Sequence, residues 1–174
     1  MLADPADQQR LLTLAELDSE IGRLQHTAKK LPQHARIAEL MKNRQAVTDD
    51  LVAVTTRVGD LELSVRRAES DLVPVRTRLD RESRRVEDGS VTDPKVLRGL
   101  MEEVERIKRR ITELEDAELD LMEQLEEATA ERDELATGKK DVEETLRAEV
   151  AVRDAEVGKL STEAKAIASS RASE

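Results

Sequence analysis

The chain of 174 residues contains no Phe, Tyr, Trp or Cys, and 39% of it is charged, with a net charge of −10, so it lacks the large side chains of an ordinary globular core. Its apolar 38% is Leu, Val, Ile, Ala and Met, which at sustained helical spacing is the composition of a coiled coil. Disulfides and thiolate metal sites are excluded, and with no apolar run of about 18 residues and no leader-like N-terminus the sequence predicts a bacterial cytoplasmic protein without a membrane span.

Asp4-Pro5 reads as an N-cap and first helical residue, opening a helix expected over about 5–87. Leu14, Leu17, Ile21, Leu24, Ala28 and Leu31 alternate steps of three and four, which places them on one seam. Pro32 then predicts a kink or break. The seam resumes out of phase at Ile37 and continues through Leu40, Val47, Leu51, Val54, Val58, Leu61, Val65, Leu72 and Leu79 to Val86, with Arg44 and Glu82 as its charged members. Pro74 predicts a second bend within this run.

Residues 88–93 read as the tip between two helices, with Gly89 suited to the position after a helix C-terminus and Asp93-Pro94 to the next N-cap and first turn. The second helix is expected over about 94–168, with Leu97, Leu100, Val104, Ile107, Ile111, Leu114, Leu121, Leu125 and Leu135 on its seam. Val142, Leu146 and Val150 form a stutter, and Ala168 to Glu174 are small and polar enough to fray.

If the chain folds back about the tip, facing residues should have position numbers with a constant sum, because both helices rise at the same rate. Leu79 with Val104, Leu72 with Ile111, Val58 with Leu125 and Ile37 with Leu146 share one sum. Leu31 with Val150, Leu24 with Val157, Ile21 with Leu160 and Leu14 with Ile167 share another. The breaks at Pro32 and at the stutter thus lie opposite each other, which unrelated helices would have no reason to do. The expected fold is all-α, a long kinked antiparallel two-helix coiled-coil hairpin forming a single domain over 1–174.

Charge is distributed unevenly. Residues 66–110 hold 13 Lys or Arg against 10 Asp or Glu, whereas 111–150 hold 4 against 15. The densest cations are Arg81, Arg84 and Arg85 before the turn and Arg106, Lys108, Arg109 and Arg110 after it. These seven are the candidate contact residues for nucleic acid or for a protein partner. No aromatic is present to stack on bases, and the plainer reading is a solvated coiled-coil flank pairing with Glu102, Glu103 and Glu105. The charged seam residues Arg44, Glu118, Arg132 and Lys139 are expected to snorkel to water.

No catalytic or metal-binding residue is expected. His26 and His34 stand apart with no Cys partner or HExxH pattern, and no Gly-rich phosphate loop occurs. Glu126-Glu127 and Glu143-Glu144 would need a cleft to perturb their pKa values, which a two-helix rod does not offer. A small-molecule substrate and a membrane-surface role are therefore not expected.

Ala3-Asp4-Pro5, Gln9-Arg10-Leu11-Leu12, Leu14-x-x-Leu17-Asp18, Lys30-Leu31-Pro32 and above all Val91-Thr92-Asp93-Pro94-Lys95-x-Leu97 resemble bacterial proteins of the C4-type zinc ribbon domain family. In these an N-terminal coiled-coil hairpin precedes a small ribbon with two CxxC-like pairs. The resemblance covers the helical part alone. This chain carries no cysteine and ends Ser169-Ser170-Arg171-Ala172-Ser173-Glu174 where the family continues, so it reads as a shortened form with the ribbon missing. The resemblance implies no cofactor in this chain, zinc being expected only in the absent ribbon. It also implies an adaptor whose hairpin binds protein and whose ribbon touches nucleic acid, in some bacteria with a link to flagellar or transcriptional regulation.

Two functions follow as expectations: a non-enzymatic interaction scaffold, or a nucleic-acid-binding regulator that uses the basic tip together with the missing ribbon.

Overall fold

The computed structural model describes residues 4–173, which form three helices and no strand. They are α1 (Pro5–Lys29), α2 (Pro32–Glu87) and α3 (Pro94–Ser173). The architecture is an all-α coiled-coil hairpin, with α2 and α3 joined through the tip.

The helix boundaries follow from local chemistry. Asp4 caps α1 by accepting from the Ala6 N–H at 2.9 Å, and Pro5 fills a first-turn position where its missing N–H costs nothing. At Lys30 the first arm breaks outright. Its N–H reaches the carbonyls of both His26 and Thr27, a tightening of the last turn, and Leu31 lies outside either helix. Pro32 causes this break, because a helix passing through it would lose its bond to the Ala28 carbonyl and press the proline ring against that oxygen. His34 supplies the missing donor: its Nε2–H reaches the Ala28 carbonyl at 3.0 Å. By contrast, α2 runs through Pro74 without interruption.

Two compact units make up the chain. One is Asp49–Ala136, which contains the tip. Its core is two short clusters: Val54, Val58 and Ala128, with Leu61, Leu125 and Leu135 against them, and Leu72, Ile107 and Ile111, with Val75, Leu79 and Leu114 against them. Leu72 is only 1% exposed and clusters with Ile111, its expected facing residue. Arg57–Glu131, Arg76–Glu115 at 2.7 Å and Arg78–Glu103 at 2.5 Å join α2 to α3 along the flanks. Such exposed pairs contribute little each, so the aliphatic seam dominates, at less than about 1.5–3 kcal/mol per half-buried Leu or Val.

The other unit combines the chain up to Thr48 with the chain from Thr137 onward. Ile37 and Leu40 of α2 are buried there, but α1 contributes no buried residue. Its seam residues Leu14, Leu17, Ile21 and Leu24 are half-buried. Near the chain's end, where the sequence predicts fraying beyond residue 168, α3 remains helical to Ser173. Arg171 accounts for the difference: its Nε and Nη2 donate to the two carboxylate oxygens of Asp18 at 2.5 and 3.1 Å.

The charged seam positions divide into two kinds. Arg44, Glu118, Arg132 and Lys139 are half-buried, as snorkelling side chains are. Glu82 is buried, at 5% exposure. No helix among the described residues is long and apolar enough to cross a membrane.

Candidate functional site

The tip is built by two caps. After Glu87 the chain leaves the helix through Gly89 at φ 66°, a left-handed conformation that a side chain would strain. The Asp88 N–H still reaches the Arg84 carbonyl, while the Asp88 carboxylate accepts from the Ser90 N–H at 2.9 Å. That backbone bond, with help from the Ser90 side chain, holds the Asp88 carboxyl below the usual range. Asp93 Oδ1 then accepts from the N–H groups of Lys95 and Val96 at 2.7 and 3.3 Å, starting α3.

These caps place Arg81, Arg84 and Arg85 in the last turns of α2, and Arg106, Lys108, Arg109 and Arg110 a few turns into α3. The two groups are staggered along the helix pair. Ile107 packs with Leu72, beside Val75 and Leu79, and Arg106 and Arg110 lie beside Arg78, while Lys108 borders Ser83, Val86 and Glu87 in the last turns of α2. In an antiparallel pair of this register their centres are offset by roughly 12 Å along the axis.

Most of these cations are already held by carboxylates. Arg81 and Arg85 both bind Glu82, at 2.7 and 2.6 Å, and their hydrogen bonds, Arg81's foremost, hold the Glu82 carboxyl below its ordinary range against the opposing effect of desolvation. Arg106 shares Glu103 with Arg78. Lys108 donates to Glu105 at 2.8 Å and lowers that carboxyl's pKa, and Arg110 reaches Glu113 at 3.0 Å. Arg84 and Arg109 make no ion pair among the described residues. Of the pairing residues the sequence names, Glu103 and Glu105 pair as expected, Glu102 makes no ion pair among the described residues, and Glu82 is not among them. The available signal for Glu82 is Arg85 three residues on, a spacing that lets the two side chains meet on one helix face.

Among the described residues no group of three or more His, Cys, Asp or Glu is arranged to hold a metal ion. What the tip offers chemically is a set of largely exposed charge-assisted hydrogen bonds along a helical pair, with Arg84 and Arg109 outside direct ion pairs.

Comparison with known proteins places this architecture. An uncharacterised protein found in two strains of Mycobacterium tuberculosis is 38% identical over 121 residues, covering 70% of this chain and 49% of the relative. An uncharacterised Mycobacterium leprae protein is 34% identical over 104 residues, covering 60% of this chain and 44% of its own length. This chain therefore spans about half the length of the curated relatives it matches. A solved Mycobacterium smegmatis structure superposes with a TM-score of 0.82 at 32% identity, covering 99% of this chain and 71% of that one. The HP0958 protein of Helicobacter pylori superposes with a TM-score of 0.66 at 14% identity, with the same coverage of 99% and 71%, which shows a shared fold alone. Residues 14–173 match the model of the CT398-like coiled coil hairpin domain, and the chain belongs to that family.

Proposed function

We propose that this chain is a non-enzymatic interaction scaffold whose helical surfaces hold a protein partner. The observation that supports this best is the state of the basic tip. Five of its seven cations, Arg81, Arg85, Arg106, Lys108 and Arg110, are engaged by carboxylates of the same chain. A phosphate backbone would have to displace Glu82, Glu103, Glu105 and Glu113, and would meet their negative charge as well. A protein partner has no such need, because it can read the exposed helical faces as they stand.

The reading extends to the zinc ribbon that the sequence resemblance implies. The hairpin would serve as the N-terminal part of a longer adaptor, with the ribbon and its zinc in the portion of the relatives that this chain does not share. The rival reading, a nucleic-acid-binding regulator acting through the tip, draws support from Arg84 and Arg109, which make no direct ion pair among the described residues, although Glu105 attracts Arg109. Fluorescence anisotropy with labelled RNA and DNA separates the two. The scaffold reading expects Arg84→Glu, Arg85→Glu, Arg109→Glu and Arg110→Glu together to leave protein binding intact and to reveal no nucleic-acid affinity worth losing. A tight RNA or DNA complex abolished by those reversals would replace it.

A further inference from the structure

Where α1 packs against the last turns of α3, the seam between them is incompletely filled. Ala28 and Ala164 occupy seam positions where a leucine would close the gap, and a cavity of about 600 Å³ opens beside Ile21, Leu24, Val157 and Leu160. That volume lies within the range of sites that hold a ligand or several partner side chains. All of it belongs to one compact unit, the one that joins α1 to the last turns of α3.

The rim has one sign of charge. Lys29 borders the cavity from α1 and Lys165 from α3, and no carboxylate lines it. Neither lysine has an ion-pair partner among the described residues, whereas Arg23 and Lys159 nearby are paired with Glu20 and Glu156. An apolar floor between two parallel walls of helix, with uncompensated cations on both walls, is complementary to a third helix that has an aliphatic stripe and carboxylates on either side of it.

We propose that this groove is a docking site for an acidic amphipathic helix of a protein partner, seated against Leu24 and Leu160 with its flanking carboxylates at Lys29 and Lys165. The inference rests on the scaffold reading and assigns that scaffold a binding face and a partner chemistry. Binding here completes a local three-helix packing and buries the half-exposed α1 seam, so it also tightens the hold on α1.

The test uses designed helical peptides of about three heptads, with Leu on the stripe and either Glu or Lys on the flanks, titrated by fluorescence anisotropy. The Glu-flanked peptide should bind and the Lys-flanked one should not. Ser161→Arg, which places a long side chain on the exposed groove wall without touching the seam, should weaken binding at least about tenfold. Lys29→Glu with Lys165→Glu should reverse the preference toward the Lys-flanked peptide. Circular dichroism on both variants reports retained helicity, since both changes are at exposed positions.

Equal binding of the two peptides overturns the proposal. So does Glu-peptide binding that Ser161→Arg leaves unchanged, which would still leave the scaffold reading standing. Self-association of the chain that Ser161→Arg abolishes would assign the groove to a second copy instead. Binding of neither peptide overturns the groove, and accompanied by tight RNA or DNA binding at the tip it overturns the scaffold reading with it.

Discussion

Glu82 is the residue at which pattern and structure part most clearly. Its position on the seam is plain from the heptad, but a long carboxylate there is ordinarily expected to reach water. Instead it stays in, because Arg81 and Arg85 bring their guanidinium groups to it while remaining more than half exposed themselves. Its pKa falls on folding, as do those of Asp88 and Glu105. A carboxyl lowered in this way stabilises the fold above its unfolded pKa and loses that contribution as pH drops through the folded value. Thermal melting followed by circular dichroism should therefore show a plateau at neutral pH and a falling midpoint below about pH 4. Glu82→Leu should preserve or raise the melting temperature at pH 7, since it extends the aliphatic seam and frees two arginines already in water, and it should make the acid decline shallower. A large destabilisation at pH 7 would mean that the Arg–Glu–Arg group is needed for the fold itself.

At the scale of the elements, most of the architecture was legible, and the exceptions have identifiable causes. Asp4, Pro32, Gly89 and Asp93 each announce a boundary through a local rule, and the structure uses each of them. Pro32 and Pro74 obey the same backbone rule but differ in outcome. Pro32 ends a helix and has His34 to satisfy the freed carbonyl of Ala28, whereas α2 continues through Pro74 beside the well-packed Leu72. The sequence already expects the helix to pass Pro74 with its seam intact, and α2 does continue there. The persistence of α3 to Ser173 was less legible, because the Arg171–Asp18 pair joins residues at opposite ends of the chain. Urea unfolding should place Gly89→Ala at a cost of about 1 kcal/mol, all of it backbone strain since open space surrounds the site. Asp93→Ala should cost about 1 kcal/mol through the lost cap. Pro74→Ala should raise stability by roughly 1–3 kcal/mol, because it restores the helical hydrogen bond to the Ser70 carbonyl that proline cannot donate.

For the molecule as a whole, the constant sum of facing positions was the decisive reading, since it converted two one-dimensional patterns into a pairing. Leu72 and Ile111 meet in one cluster as that sum requires. Leu72→Cys with Ile111→Cys, in a chain that has no other thiol, should oxidise to a species of monomer mass; a disulfide-linked dimer would indicate pairing between chains. The candidate site was less legible than the fold. The cations were countable, but whether they are free depends on which carboxylate lies within reach in three dimensions.

Salt dependence measures this directly. With labelled single-stranded RNA, the scaffold account predicts no measurable complex at about 150 mM salt and only a shallow dependence below it, because few phosphates can find an unpaired cation. A logarithmic slope of about −3 or steeper, flattened by Arg84→Glu with Arg109→Glu, would show several phosphates neutralised by the tip and would contradict the account.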